Sequence, residues 1–503
     1  MEFVSSFCRN SAFLCGLSCK NKGELYLPMK KQDYIIQLIK SLEPNERRYF
    51  RLFSSLQQGE KKYLQLFDLL EGQDEYDATA LSKQLGMPKS RLAEVKHYLN
   101  DAILNSLRAT NEQTTQIAAL YVAKEDARIL LSRRLFLQSL EVSGKTAERA
   151  RELEQFELLI ELLNIRHITY YNLQQFEESA AVYDEYKQVV EIENEVMQIY
   201  SLKAKASGYE VLRNKRAEFE KLCEHPLIKA GPEKLKSLRA KAVWFDIMYY
   251  YYIASDMPQK ALEISRREWQ CYAGNPIIKV SNGTAYIISH TRLAYAEHTT
   301  GNNERALELA EELKRVLTDK TRELSKARRT TFMAYNESFR MYVLLRLERF
   351  AEVLRESPAV IELMKVRPLP EQYASIFNYA LALVHASAHE KAIDELNKLV
   401  DINTDVRLDL QQLARLLMVM VHLDLGNNSL IPHLIKAARS WMKRHSYANE
   451  TVNGLYRYFL LASHAPAPEK RDIYGKCLAV IRKGGFQPLA GTLMLSSWLE
   501  KRT

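Results

Sequence analysis

Nucleophilic, metal and phosphate chemistry each require particular side chains at particular spacings, and this chain of 503 residues offers few of them. Its 11 histidines are scattered, and no His-Glu-x-x-His pair sets two imidazoles on one helix face for a metal. His298 beside Glu297 and His167 beside Arg166 read as packing or surface positions. No Gly-x-Ser-x-Gly elbow or dinucleotide fingerprint is present. Gly144-Lys145-Thr146 has the end of a phosphate loop but lacks its first glycine and a preceding strand. It reads instead as a connection between helices, with Thr146 capping the second. Of six cysteines, Cys8, Cys15 and Cys19 crowd the N-terminus without a nearby histidine, and Cys223, Cys271 and Cys477 are isolated. That pattern fits no zinc site and is expected of a reduced, cytoplasmic protein. No catalytic residue, cofactor or metal is therefore expected.

The elements around these residues are helical. Apolar residues make up 47% and charged residues 26%, the balance of a folded protein, while Gly (17) and Pro (14) are scarce. Few β-turns or phosphate-cradling loops can be built from so few turn residues. The formal charge of +9 could attract nucleic acid or anionic lipid only if concentrated on one surface. It is diffuse: most of the denser basic stretches, such as Lys234 to Lys241 and Lys320 to Arg329, contain acidic residues or lie beside them. No apolar run approaches the ~18 residues of a membrane span.

Four regions are expected. Residues 1–28 differ from the rest of the chain and read as a disordered extension or the product of start-site choice, with Met29 the start. A lipoprotein signal ending at Cys19 is the alternative, although the usual leucine three places before the cysteine is missing. Residues 29–110 form a small helical segment. Within it, Asp77 could cap Thr79 to Leu85, Gly86 makes a turn, and Pro88 starts a helix through Leu92, Val95 and Leu99. This resembles a helix-turn-helix, which would put Lys89, Ser90 and Arg91 where a recognition helix touches DNA. The charge argues against it: 13 Lys+Arg face 11 Asp+Glu between Met29 and Thr110. A net +2 is little for neutralising several phosphates.

From 111 to 445 a turn recurs. Gln174 to Ala180, Asp256 to Leu262, Gly301 to Leu307, Glu348 to Leu354 and Ser387 to Ile393 share one frame, with Ser179, Ala261, Ala306, Val353 and Ala392 at the same place. Gly426-Asn427-Asn428 is a degenerate copy. The set resembles the inter-helix turn of tetratricopeptide repeats, where a small residue five places after the turn start lets paired helices approach. Val353 is larger than that position prefers. The spacings, up to 82 residues between Ser179 and Ala261, exceed the ~34 of a standard unit. That longest interval has room for a second, blurred unit. The resemblance implies an all-α fold, a TPR-like α-solenoid of stacked antiparallel helix pairs, with capping helices in 446–503.

The resemblance further implies that the first helix of each pair lines a concave groove. Counting back from the turns, that stripe holds Asn164, Asp246, Tyr250, Thr291, Tyr295, Ser338, Tyr342, Arg346 and His385. Tyrosines flanked by hydrogen-bonding side chains suit a protein interface, and the same tyrosines would equally suit packing between helices. No lysine stands on the stripe, which argues against the carboxylate-clamping function of some family members. The expected function is a non-catalytic scaffold or adaptor binding a protein or peptide in the groove. The alternative is a regulator whose N-terminal segment touches DNA while the array senses a partner.

Overall fold

The computed structural model describes residues 34–55, 62–73, 75–111, 116–210, 216–275, 283–319, 324–402, 404–447, 449–487 and 489–503. The expectations for residues 1–28 fall outside them, as do Cys8, Cys15 and Cys19. Among the described residues there is no strand, and no helix is long and apolar enough to cross a membrane.

The N-terminal helices are α1 (Tyr34–Ser41), α2 (Pro44–Ser55), α3 (Lys62–Glu71), α4 (Ala78–Gln84) and α5 (Lys89–Asn111). They close on one core that includes Ile35, Ile39, Phe50, Leu66, Phe67, Leu81, Leu99 and Ile103. Pro44 opens α2, and Glu46 reaches back to accept from the Glu43 N–H at 2.7 Å, satisfying one of the donors that a helix start leaves unpaired. Asp77 caps α4, accepting from Thr79 N at 2.8 Å and Ala80 N at 3.1 Å. Gly86 then turns the chain at φ +63°, and α5 runs on for 23 residues.

Four helices come next: α6 (Gln116–Ser132), α7 (Phe136–Glu152), α8 (Phe156–Asn172) and α9 (Phe176–Glu210). After α10 (Arg216–Cys223) and α11 (Pro226–Lys229), the array resumes with α12 (Leu238–Ala254), α13 (Pro258–Ala273), α14 (Gly283–Thr299), α15 (Asn303–Thr318), α16 (Lys326–Arg346) and α17 (Phe350–Leu363). It continues through α18 (Leu369–His385), α19 (His389–Val400), α20 (Leu408–Asp424), α21 (Ile431–Arg444), α22 (Glu450–His464), α23 (Ala467–Arg482), α24 (Leu489–Thr492) and α25 (Leu495–Glu500). The described residues divide into two compact units, 34–198 with Lys236–Arg239, and Ile199–Leu235 with Ala240–Thr503. In the first, α6, α7 and α8 each pack on the next in sequence; in the second, α13 to α23 do so, and the first helices α14, α16, α18 and α20 also touch in succession. This is the all-α, TPR-like stack of helix pairs that the turns implied.

One backbone device makes the turns. The first residue of every aligned frame is left-handed: Gln174 (φ 57°), Asp256 (57°), Gly301 (92°), Glu348 (56°), Ser387 (59°) and Gly426 (73°). The next amide reaches back five residues, as in Gln175 N to Tyr170 O (3.0 Å) and Ala388 N to Leu383 O (2.9 Å), which satisfies carbonyls that the helix end leaves free. Five places after the left-handed residue comes a buried side chain: Ser179, Ala261, Ala306, Val353 and Ala392 are all sequestered. Arg134 (59°) and Glu154 (50°) add two turns of the same form, followed by buried Ser139 and Leu159.

One expectation is corrected. Gly144-Lys145-Thr146 lies inside α7 and connects nothing. Thr146 does not cap a helix but donates to Val142 O at 2.7 Å, one turn back. In the long interval from Ser179 to Ala261, a large part of the length is taken up by α9, a single helix of 35 residues.

The left-handed turns generate a paired prediction. A left-handed L-residue costs about 1–2 kcal/mol, which exceeds the ~0.4–1 kcal/mol of unfolded-state entropy that glycine adds. Gly301 has open space where a Cβ would stand, so only its φ penalises a side chain. Gly301→Ala should lower the thermal midpoint by the equivalent of about 1 kcal/mol, and Ser387→Gly should raise it by less than that. Differential scanning calorimetry of both variants checks the opposite signs.

Candidate functional site

The second unit contains an open cavity of about 530 Å³. Its walls come from the C-terminal part of α9 (Tyr200, Lys203), α12 (Val243, Asp246), α13 (Glu268, Tyr272), α14 (Ile288, Arg292) and the first turns of α16 (Arg328, Phe332, Tyr335). Four-residue steps put Glu268 and Tyr272 on one face of α13, and Ile288 and Arg292 on one face of α14. Three helices thus meet at a single guanidinium.

Arg292 Nη1 donates to both Glu268 oxygens, at 2.7 and 2.8 Å, and Arg292 Nη2 donates to Asp246 Oδ1. Lys203 pairs with the other Asp246 oxygen. The side chains of Arg292, Asp246 and Glu268 are 6%, 2% and 2% exposed, so these charges are held almost out of water, whereas Lys203 at 24% reaches solvent. Burial pushes the Glu268 carboxyl up to about 7, against the pull of Arg292. Burial likewise holds the Tyr272 and Tyr335 phenols well above their ordinary value. The Tyr272 hydroxyl has no hydrogen-bond partner among the described residues.

Most of the groove stripe lies elsewhere. Asp246 is its one member in the cavity wall. Tyr250, Tyr295, Ser338 and His385 are buried. Tyr250 lies under the Arg292 guanidinium at 5.9 Å, and Tyr295 meets Phe339 of α16 with ring centroids 6.0 Å apart. Ser338 and Ser375 share a hydrogen bond at 3.0 Å between α16 and α18. These four are seams between layers. Thr291, half-buried, donates to Ile287 O, and half-buried Tyr342 packs on His298. Asn164 is exposed on α8. Arg346 and His385 face the chain's own C-terminal segment: Arg346 Nη1 donates to Gly491 O at 2.6 Å, and His385 Nε2 lies 3.0 Å from Leu493 O.

Lys89, Ser90 and Arg91 are exposed on the first turn of α5. The Asp77 carboxylate interacts with Lys89, so acid stands within the candidate DNA surface. His298 lies against Asn303 and the rings of Tyr295, Phe339 and Tyr342, and His167 bonds Ser179, so both are packing residues. Burial raises the Cys223 and Cys477 thiols to about 11 and about 12, which keeps thiolate scarce at neutral pH.

Sequence reading missed Lys203, Glu268, Tyr272 and Arg292. A usable signal existed for Arg292, which stands one helical turn after Ile288 and one before Ala296, on a face that is otherwise apolar at those steps. A charge on that face must find a buried partner.

The ion-pair geometry can be tested in two ways. The Glu268 carboxyl titrates near 4.5 when unfolded and near 7 when folded, so the folded chain keeps a proton that the unfolded chain releases. Its contribution is greatest below about 4.5 and is lost as pH rises to about 7. The thermal midpoint of wild type relative to Glu268→Gln should therefore fall across that window and level off above it. Arg292→Met strands buried Glu268 and leaves Asp246 to Lys203, and should cost about 3–5 kcal/mol in denaturant unfolding, the usual result of breaking one side of a buried pair.

No protein-family model matches the sequence, and comparison with curated proteins finds none that matches. Among solved structures, the chain is similar to a Signal Transduction ATPase with Numerous Domains (STAND) protein with a tetratricopeptide repeat sensor from Pyrococcus horikoshii. The identity is 13%, the TM-score 0.42, and the match covers 90% of this chain and 71% of that one. The TPR-like description stands on this chain's own left-handed turns, the buried side chain five places after each, and the succession of packed helix pairs.

Proposed function

We propose that this chain is a non-catalytic interaction protein of the cytoplasm that holds a peptide or protein segment on its helical array, with the cavity around Asp246 and Arg292 as the seat. The observation that carries this reading is the cavity itself. It is open and of a size that takes a compact ligand, and aromatic, aliphatic and ionic side chains share its walls. Its charged groups are committed to one another. Both Glu268 oxygens are held by one Arg292 nitrogen, so the raised carboxyl is engaged in the ion pair and poorly placed for proton transfer.

Of the stripe, Asn164, Thr291, Tyr342 and Arg346 keep enough exposure to touch a partner, while Tyr250 and Tyr295 support the layers beneath. A DNA-contacting role for Lys89, Ser90 and Arg91 has weaker support, given Asp77 beside them and the small local charge.

The test is to fill the cavity without breaking its ion pairs. Thr331, half-buried in the wall, is replaced by Trp, and unfolding curves establish that the variant folds. Crosslinking and mass spectrometry in source cells should recover a protein partner with wild type and with Ser387→Gly, but lose it with Thr331→Trp. A partner kept by Thr331→Trp would move the binding surface away from this cavity. Recovery that nuclease abolishes would shift the function to the N-terminal helices.

A further inference from the structure

We propose that the cavity recognises an acidic side chain flanked by apolar residues within a peptide segment, held by Lys203 and Arg328 over the aliphatic and aromatic wall. The proposal rests on the interaction reading above and deepens it by naming what the partner must carry.

Charge is the first argument. The wall holds three cationic side chains, Lys203, Arg292 and Arg328, against two acidic ones, Asp246 and Glu268. With both acids ionised the cavity keeps one positive charge in excess, and protonation of Glu268 enlarges the excess. An occupant bearing a carboxylate cancels it, whereas a cationic occupant adds to it. A charge in such a partly desolvated cleft interacts more strongly than it would in bulk water.

The second argument is how the cations are held. Asp246 carries two of them: Arg292, buried and also clamped by Glu268, and Lys203, the more exposed. Lys203 can swing on its flexible stem to an incoming carboxylate while Arg292 continues to neutralise Asp246. The exchange strands no buried charge. Arg328, exposed on the first turn of α16 at the rim, supplies a second donor. Arg292 itself stays where it is, because withdrawing it would leave Glu268 and Asp246 facing each other in an apolar setting.

The third argument is the remainder of the lining. Val243, Ala285, Ile288 and Phe332 give apolar surface, and Tyr272 and Tyr335 place phenols among them. A bare inorganic anion would leave this apolar and aromatic surface unused, whereas an acidic side chain with apolar neighbours covers it.

The experiment is fluorescence anisotropy with the full chain and a labelled, N-acetylated, C-amidated heptapeptide alternating glutamate with leucine and tyrosine. Blocking the ends leaves side-chain carboxylates as the anions. The expected result is saturable, salt-weakened binding that falls at least tenfold when glutamine replaces glutamate in the peptide. It should fall similarly in Lys203→Gln and in Arg328→Glu, whose position on the surface leaves folding intact. Equal binding of the glutamine peptide, or tighter binding of a lysine counterpart, would overturn acid recognition. Binding indifferent to both variants would also overturn it, as general attraction to a basic chain. Full displacement by micromolar free glutamate would reassign the site to a small acid. If the glutamate peptide does not bind although Thr331→Trp still abolishes partner capture, this proposal fails and the interaction function stands. If Thr331→Trp leaves capture unchanged, the function reading itself fails.

Discussion

A single arginine buried between two carboxylates sets the register of the helix layers around the cavity. Apolar packing alone lets neighbouring helices slide, because dispersion and water exclusion have little directional preference. Arg292 removes that freedom, since its fork must meet Glu268 of α13 and Asp246 of α12 at once. The same solution recurs along the second unit. Arg340, nearly sequestered, joins Glu337, Glu311 and Glu356 across α15, α16 and α17, and Arg266 meets Glu297 between α13 and α14. Arg367 clamps Glu371 at 2.8 Å while its guanidinium lies over the Tyr335 ring at 4.1 Å. Such pairs add little net stability over well-packed apolar substitutes, yet breaking one side is severe. Here they act as pegs that admit one alignment of each layer.

This constraint also explains why buried ion pairs and apolar side chains share the cavity wall. The layer from α12 to α14 spends its charges on alignment, and the neighbouring α16 supplies Phe332, Thr331 and Tyr335. What the cavity offers a ligand is therefore the remainder after the pegs are satisfied: the more exposed cation Lys203, the rim cation Arg328, and a mixed aromatic wall. Recognition there is coupled to register, because Asp246 serves both.

How much of this is legible in the sequence depends on whether the signal is local. The shared frame of the turns is visible because it is short and repeats, and the residues at Ser179, Ala261, Ala306 and Ala392 are small for a reason the fold makes plain: they are fully covered. The turns at Arg134 and Glu154 are hidden because arginine and glutamate do not advertise a left-handed backbone as glycine does. Gly144 misleads for the converse reason, since a helix tolerates an occasional glycine at about 1 kcal/mol. The stripe falls on the first helices of the pairs as expected, but its position there does not say what covers it. Burial of Tyr295 comes from Phe339, a residue in the next layer, and Arg346 and His385 meet backbone more than a hundred residues away. The buried partners Glu268 and Arg292 are likewise 24 residues apart, beyond the reach of any periodicity argument.

The tie between the C-terminal segment and α16 to α20 changes how this chain should come apart. Lys501 donates to His385 O at 3.1 Å, Ser497 to Glu348 at 3.0 Å, and Arg502 and Trp498 to Asp424 at 2.5–3.1 Å. An open row of repeats interacts only with nearest neighbours and can fray from its last member inward. Here the last member is fastened by side chains to the middle, across separations of 74 to 149 residues. The terminal repeats then melt as one closed block, and forming that block requires closing a long loop. This part of the chain trades the rapid, zipper-like folding of a linear array for cooperativity at its end.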